Sequence, residues 1–185
     1  MGFIGRRELD KRMRFLLTTD DCTGLYKAGM LDPLLEIEIL RSQRYGYHFS
    51  VVFLDLDHFK VVNDTYGHLV GSKLLAQIGR MIEAGCRKID FAFRFGGDEF
   101  VVVLPQATKE LSTRMAKRLV SLVREVRLST EEGHDVGVTA SAGTATFPTD
   151  AQSKDQLLRL ADEAMYRVKG TTRDNAVSAE TDPKH

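Results

Sequence analysis

The stretch that decides the fold is FAFRFGGDEFVVVL, residues 91–104. It contains two apolar runs rich in β-branched and aromatic residues, 91–95 and 100–104, and the sequence Gly-Gly-Asp-Glu lies between them. Runs of this composition are typical of β-strands. The Gly-Gly pair predicts a tight hairpin in which both glycines take positive φ. Because a hairpin pairs its strands antiparallel, we expect a sheet that is not purely parallel.

The rest of the chain supplies helices and further strands around this hairpin. Helical periodicity covers residues 29–45, 74–82, 108–126 and 156–168, and β-branched content predicts strands over 50–56 and 136–147. A shorter strand is predicted as a possibility at 176–179. This mixed order predicts an α+β fold in which a central, mainly antiparallel sheet is flanked by helices.

The N-terminal residues 3–17 are charged and amphipathic, which predicts one more helix. Leu9, Met13 and Leu16 follow heptad spacing within it. One heptad does not distinguish the end of a signalling coiled coil from a single helix that packs on its own domain. Both interpretations therefore stand, and the sequence does not identify an input signal.

Composition limits the class of protein. The chain has 185 residues and 20.8 kDa, with 43% hydrophobic and 28% charged residues, as in a soluble domain with a short arm. Its 26 basic and 26 acidic residues balance, whereas non-specific nucleic-acid binding needs a basic surplus. No apolar run has the length of a membrane span, and no secretory signal precedes the charged N-terminus. We therefore expect a cytoplasmic protein without a nucleic-acid or membrane partner.

Four carboxylates are candidates for one site. Asp55 and Asp57 stand two residues apart at the end of the predicted strand 50–56, so they share a face. Asp98 and Glu99 lie in the hairpin. If the hairpin lies beside that strand, the acids converge and repel one another, and a divalent cation such as Mg²⁺ relieves the repulsion. Each piece taken alone is equally typical of an ordinary turn.

Several motifs together resemble one family. RFGGDEF at residues 94–100 resembles the signature of the GGDEF family, the diguanylate cyclases. The remaining matches follow in the family's order: Asp20 with TGLY at 23–26, LDLDHFK at 54–60, NDTYGH at 63–68, and ADEAMY at 161–166 with Lys169. The resemblance covers about residues 18–175. It implies a division into an N-terminal helix (1–17), the GGDEF domain (18–175) and a tail (176–185).

The resemblance implies a palm-like nucleotide cyclase fold and a two-substrate reaction. Each subunit of a homodimer would bind one purine nucleoside triphosphate, and the two substrates would be joined into a cyclic dinucleotide with release of pyrophosphate twice. The rival class is a non-catalytic GGDEF receptor that binds nucleotide or product. That rival usually carries a damaged signature, whereas both glycines and both acids are present here.

The resemblance also implies the metal site, for Mg²⁺ or Mn²⁺. Asp55 would bind the metal through its side chain and Leu56 through its carbonyl. Asp98 would bind metal or act as base with Glu99 beside it, and the sequence does not separate the roles of these two acids. Asp57 either assists a second ion or is structural.

The phosphates of the substrate are expected to meet basic side chains. Lys169 and Arg173 resemble the cations that hold the terminal phosphates, and Phe59 and Lys60 flank the pocket in the family. Two departures from the family pattern are present. Its Gly-Arg-Asn is Thr-Arg-Asp at residues 172–174, and the Asn-Arg after its opening motif is Lys-Ala at 27–28.

A third departure from the family pattern lies among the residues expected to bind the purine base. Asn63 matches the asparagine that reads guanine, but Ser72 follows Gly71 where the family has aspartate. A carboxylate accepts hydrogen bonds only, whereas a hydroxyl also donates, as the N1 acceptor of adenine requires. Ser72 therefore resembles the hybrid, promiscuous subgroup that uses ATP with GTP and makes cyclic GMP-AMP. The alternative is a GTP-specific enzyme that makes only cyclic di-GMP.

A second site is implied by the tetrapeptide from Arg87 to Asp90. An RxxD at this distance before the signature resembles the family's inhibitory product site, where the two side chains would grip a cyclic dinucleotide. The alternative is a solvated helix end, because such tetrapeptides are common in charged sequences. The sequence does not show whether occupancy inhibits, and it names no downstream receptor.

Overall fold

The computed structural model of the chain describes residues 18–180. The helices are α1 (Leu31–Tyr45), α2 (Phe59–Tyr66), α3 (His68–Gly85), α4 (Lys109–Glu125) and α5 (Lys154–Gly170). The strands are β1 (Tyr26–Lys27), β2 (Phe49–Asp57), β3 (Phe91–Arg94), β4 (Glu99–Leu104), β5 (Leu128–Ser129), β6 (Asp135–Val136), β7 (Thr139–Phe147) and β8 (Ala176–Ser178). The helix predicted over 3–17 lies outside the described residues.

Six of these strands form one sheet, in the order β1-β3-β4-β2-β7-β8. The long strand β2 lies inside it and pairs antiparallel with β4 on one side and β7 on the other. The hairpin β3–β4 is antiparallel, and only the outermost pairs, β1–β3 and β7–β8, are parallel. The predicted α+β fold with a mainly antiparallel sheet is therefore confirmed.

Helices cover both faces of the sheet, and each face has its own core. Val52, Leu54 and Leu56 of β2 belong to the core on one face, and Val51 and Phe53 belong to the core on the other. The period of two along a strand sends alternate side chains to opposite faces. Because both faces are covered, β2 is buried along its whole length and reads as a nearly continuous apolar run.

The hairpin differs from the predicted tight turn. Among residues 18–180, positive φ occurs at four other glycines and not at Gly96 or Gly97. The loop holds four residues, 95–98, and Phe95 N and Gly96 N both donate to the carbonyl of Glu99 at 2.8 and 3.2 Å. Gly96 has another effect, because a Cβ there would meet Glu99 Oε2 and displace the Glu99 carboxylate from its present position. The glycine therefore makes room for an acid of the site.

Two further boundaries were predicted wrongly. Residues 59–73 were not predicted to be helical, yet they contain all of α2 and the first turns of α3. The strand predicted over 136–147 is two strands, β6 and β7. The short strand predicted at 176–179 is present as β8 and belongs to the main sheet. Among residues 18–180, no helix is long and apolar enough to cross a membrane.

Candidate active site

The register of the sheet brings the acids of the hairpin and of β2 together. Asp55 is the direct partner of Glu99 across the β2–β4 ladder. One residue further, Leu56 N donates to the carbonyl of Asp98 at 3.1 Å. The predicted convergence of strand and hairpin therefore follows from the pairing, and it places Asp55, Leu56, Asp98 and Glu99 at one end of two neighbouring strands.

The electrostatics of these acids favour a cation. Burial raises the pKa of the Asp55 carboxyl above its ordinary value, and the charges of Asp98 and Asp57 raise it further, while Lys169 opposes the rise. Burial also raises the pKa of Glu99, again with contributions from Asp55 and Asp98. Lys169 Nζ lies 2.6 Å from Asp55 Oδ1, which shows that this position attracts positive charge.

The donor set fits a magnesium-like ion that shares its ligands with a substrate. Across residues 18–180, no group of three or more His, Cys, Asp or Glu side chains is placed to hold a metal ion by itself. Mg²⁺ is commonly held by one or two carboxylates, with water and substrate phosphates completing its shell. Asp55 and Asp98, with the carbonyl of Leu56, could supply this kind of incomplete shell.

Asp57 has a structural role in this fold. Its Oδ1 accepts from Ser141 Oγ at 2.8 Å, and its Oδ2 accepts from Thr139 Oγ1 at 2.7 Å and from Asp174 N at 3.1 Å. The side chain is buried, so these contacts offset the cost of removing a carboxylate from water. Of the two roles that the sequence left open, the structure supports the structural one.

Arg94 and Asp20 brace the hairpin loop, a role that the sequence did not reveal. Arg94 Nη2 donates to the carbonyl of Gly97 at 2.8 Å and Nε to that of Gly96 at 3.2 Å, while Nη1 lies 3.1 Å from Asp20 Oδ1. Asp20 Oδ1 also accepts from Thr23 N and Oγ1. Burial alone would raise the pKa of Asp20, but the hydrogen bonds from Thr23 and Arg94 outweigh it and lower the pKa.

A cavity of about 330 Å³ opens beside Asp98. Its lining contains the residues predicted to meet the nucleotide, namely Phe59, Lys60, Asn63, Ser72 and Asp98. The same wall contains His68, which stands out in the sequence only as part of the NDTYGH motif, and Leu75, which the sequence did not single out.

Helix packing explains why Asn63 lies in this wall. A Cβ on Gly71 would stand 1.9 Å from Asn63 Oδ1, so the bare backbone of α3 allows the Asn63 amide to pack against it. Gly71 and Ser72 are consecutive residues of α3, and Asn63 belongs to α2. The two helices therefore present the two predicted base-reading residues to the same cavity.

The two predicted phosphate-binding cations lie at the end of α5. Lys169 is in its last turn and makes the ion pair with Asp55. Arg173 follows in the loop before β8, is exposed and has a φ of 48°. Neither residue lines the cavity beside Asp98. The loop that contains Arg173 contacts Asp57, because Asp174 N donates to Asp57 Oδ2 at 3.1 Å.

The RxxD residues are paired with each other. Arg87 Nη2 lies 2.7 Å from Asp90 Oδ1, Arg87 N donates to Asp90 Oδ2 at 2.7 Å, and Nη2 also donates to the carbonyl of Pro105 at 3.0 Å. Both residues line a separate cavity of about 490 Å³, with Tyr26 and Glu83. A ligand there would have to compete with this internal ion pair.

The α+β sheet with strand and hairpin acids beside a cavity is the arrangement that the resemblance to a nucleotide cyclase implied. The family model described as "Diguanylate cyclase, GGDEF domain" matches residues 17–175. The chain therefore belongs to the GGDEF diguanylate cyclase domain family. The family prediction is confirmed, and no comparison indicates the hybrid subgroup in particular.

Named relatives agree with this assignment. The diguanylate cyclase DosC of Escherichia coli is 35% identical over 150 residues, which are 81% of this chain and 32% of DosC. The diguanylate cyclase DgcP of Pseudomonas aeruginosa is 36% identical over 165 residues, which are 89% of this chain and 24% of DgcP. The chain thus spans about a third or less of the length of these curated relatives.

Solved structures give the same fold. The crystal structure of the diguanylate cyclase SiaD from Pseudomonas aeruginosa, in complex with its activator SiaC, matches with a TM-score of 0.85 and 34% identity over 94% of this chain and 66% of that one. The GGDEF domain of DgcB from Caulobacter crescentus, in complex with c-di-GMP, matches with a TM-score of 0.83 and 27% identity over 89% and 94% of the two chains.

Proposed function

We propose that this chain is a dinucleotide cyclase that joins two molecules of GTP into cyclic di-GMP. The observation that carries the proposal is the meeting of Asp55, Asp98 and Glu99 beside the cavity lined by Asn63 and Ser72. In each of two successive steps, a 3′-oxygen bonds to the α-phosphorus of the other nucleotide, the bond from that phosphorus to the bridging oxygen breaks, and pyrophosphate leaves. The hydroxyl proton passes to a base, for which the hairpin acids are the candidates.

The residues of the chain bind and orient the substrate. Asn63 and Ser72 hold the base, Phe59 and Lys60 flank the sugar-phosphate, and Lys169 with Arg173 meets the terminal phosphates. Asp55, Asp98 and the carbonyl of Leu56 would hold Mg²⁺ or Mn²⁺, with Glu99 beside them. When bound, that ion supplies a Lewis acid that neutralises charge on the phosphates and lowers the pKa of the attacking hydroxyl. When the substrate binds, Lys169 would leave its ion pair with Asp55 and bind phosphate oxygens instead.

Two copies of the chain are needed for this reaction. The described residues contain one set of site acids beside one cavity of this kind, whereas the product contains two nucleotides. A homodimer in which two sites face each other supplies both substrates in one assembly and makes the attack effectively intramolecular.

A second candidate function is the use of ATP together with GTP, which would yield cyclic GMP-AMP. Ser72 supports it, because this residue lines the cavity with a neutral hydroxyl at the position where the family has an aspartate. An aspartate there would pair with the donors of guanine and repel the N1 acceptor of adenine, while a hydroxyl serves either base. Loss of that charge-assisted contact removes about 1–3 kcal/mol of preference for guanine.

Product analysis tests both functions. The protein is incubated with Mg²⁺ and GTP, ATP or an equimolar mixture, and the products are separated by anion-exchange chromatography. We expect cyclic di-GMP from GTP alone and cyclic GMP-AMP in addition from the mixture, with neither formed by Asp98→Asn. Cyclic di-GMP alone in excess ATP would contradict the second candidate. No product under any condition would contradict catalysis and favour a nucleotide-binding receptor.

Binding of the cyclic dinucleotide product at Arg87 and Asp90 forms part of the proposal. The cavity of about 490 Å³ beside them supports it. Calorimetry with cyclic di-GMP is expected to show binding that Arg87→Ala abolishes, while the activity of that variant shows whether occupancy inhibits.

A further inference from the structure

The loop that carries Arg173 has an unusual backbone. Arg173 and Asp174 have φ values of 48° and 47°, so two consecutive residues other than glycine lie in the left-handed region. This conformation costs about 1–2 kcal/mol for each L-residue. It persists only where the surroundings hold it, and such strain is frequent at functional sites.

Four hydrogen bonds hold the loop in place. Asp57 Oδ2, at the end of β2, accepts from Asp174 N at 3.1 Å. Arg124, at the end of α4, places Nε 2.7 Å from Asp174 Oδ2 and Nη2 3.3 Å from the carbonyl of Asp174. Arg173 N itself donates to the carbonyl of Val168 in α5 at 2.9 Å. The loop is therefore fastened to three separate elements.

These contacts connect the loop to the acid site. Asp57 lies two residues from Asp55 on the same strand, and its other contacts, to Thr139 and Ser141, fix it against β7. Through Asp57, the end of β2 therefore fixes the backbone of the loop that contains Arg173. Arg124 adds a forked, charge-assisted contact that a neutral residue could not make.

We propose that Asp57 and Arg124 are positioning residues, which hold the left-handed loop so that Arg173 meets the terminal phosphates of the nucleotide. The inference rests on the proposed function, because it assumes the phosphate role of Arg173. It assigns a role to Arg124, which belongs to none of the sequence motifs. It also explains why residue 174 is an acid, because Asp174 is the partner of Arg124.

Measurements of nucleotide binding distinguish a role in positioning Arg173 from a general effect on the stability of the protein. Titration calorimetry compares GMP with a GTP analogue that has a methylene group between the α- and β-phosphates, both with Mg²⁺. We expect Arg124→Gln and Arg173→Gln each to weaken binding of the triphosphate analogue about tenfold, the value of one lost charge-assisted contact, and to leave GMP binding unchanged. The double variant is expected to bind no more weakly than Arg173→Gln.

Two further variants make the experiment decisive. Arg114→Gln, an exposed change on the same helix, is the matched control and is expected to bind both nucleotides normally. Asp174→Asn removes the ion pair from the other side and is expected to behave like Arg124→Gln. Thermal unfolding followed by circular dichroism verifies that each variant is folded.

Each outcome has one meaning. If wild-type protein does not bind the analogue, or if Arg173→Gln binds it normally, the phosphate site of the proposed function is wrong. If Arg173→Gln loses affinity while Arg124→Gln and Asp174→Asn do not, the positioning role is wrong. Equal losses for GMP and the triphosphate analogue in Arg124→Gln would also overturn it, because they would indicate general disturbance of the site.

Discussion

At the scale of single residues, Asp20 and Arg94 determine how firmly the hairpin loop is held. Arg94 spans from Asp20 to the carbonyls of Gly96 and Gly97, so one guanidinium links the start of the described chain to the loop that carries the acids. The side chain of Asp20 is 22% exposed, which limits screening by water. Both residues therefore act on the site through the loop that they hold, and Arg94 also lines the cavity beside Asp98.

The lowered pKa of Asp20 gives a prediction for pH dependence. A carboxyl whose pKa is lower in the folded than in the unfolded protein stabilises the fold above its ordinary value of 3.8 and loses this effect as the pH falls through the folded value. Asp20→Asn is expected to lower the free energy of unfolding by about 1–2 kcal/mol at neutral pH. The deficit should shrink as the pH falls below 3.8.

Urea denaturation at a series of pH values measures this deficit. Asp21→Asn, a change at the exposed neighbouring residue, is the control and should leave the unfolding free energy nearly unchanged. A deficit for Asp20→Asn that stays constant from neutral pH to acid would show that the charge of Asp20 is not what stabilises the loop.

Ser72 gives a prediction about the base. Ser72→Asp adds an acceptor-only group to the cavity wall, where it can pair with the donors of guanine and repels the N1 acceptor of adenine. In reactions with equimolar GTP and ATP, we expect the product ratio to shift toward cyclic di-GMP by about tenfold or more. Ser72→Ala is the matched control, since it removes the hydroxyl without adding charge. An unchanged ratio in Ser72→Asp would exclude this residue as the determinant of base choice.

The site was predictable from sequence where chemistry and motif coincide. The convergence of Asp55 with Asp98 and Glu99 was predicted from their positions at a strand end and in the hairpin, and the family motifs supplied the roles expected of them. The role of Arg94 in bracing the loop could not be predicted from the sequence. It depends on backbone carbonyls of the loop and on Asp20, an acid 74 residues away. Asp57 was left between two roles, since the hydroxyls that satisfy it belong to β7, far along the chain.

At the scale of elements, β2 organises the molecule. It contacts strands on both sides and helices on both faces, and its register places Asp55 opposite Glu99. Leu54 is fully buried between Phe100 of β4 and Ala142 of β7. Burying such a side chain contributes about 1.5–3 kcal/mol, so the strand that carries the acid is also a main source of stability.

Truncation of β2 tests this dependence. Leu54→Ala is expected to lower the free energy of unfolding by about 2–5 kcal/mol, since it removes buried methyl groups and leaves a cavity. Leu40→Ala, at a site that is 65% exposed on α1, is the matched control and should change it by less than about 0.5 kcal/mol. The measurement is urea unfolding monitored by circular dichroism. Similar losses in both variants would contradict the central place of β2.

The elements themselves were partly predictable. Strands β2, β3 and β4 follow from unbroken apolar runs, which a strand buried on both faces produces. Helix α2 was missed because its sequence FKVVNDTY ends in turn-forming residues, and packing against α3 outweighs their weak local preference. The glycine pair was assigned to positive φ, yet Gly96 serves the close approach of Glu99. Such approaches between side chains leave no periodic signal in a sequence.

At the scale of the whole molecule, the proposed reaction needs two copies of the chain, and this gives a kinetic prediction. If catalysis occurs only in a homodimer, the active fraction follows mass action, and the rate rises with the square of protein concentration while the monomer predominates. Specific activity should therefore increase with concentration and level off once the dimer saturates. Initial rates of pyrophosphate release over a thousandfold range of protein concentration measure it, with sedimentation velocity on the same samples as the control for assembly. A specific activity that stays constant while sedimentation shows only monomer would mean that one copy suffices, and the facing arrangement of two sites would have to be abandoned.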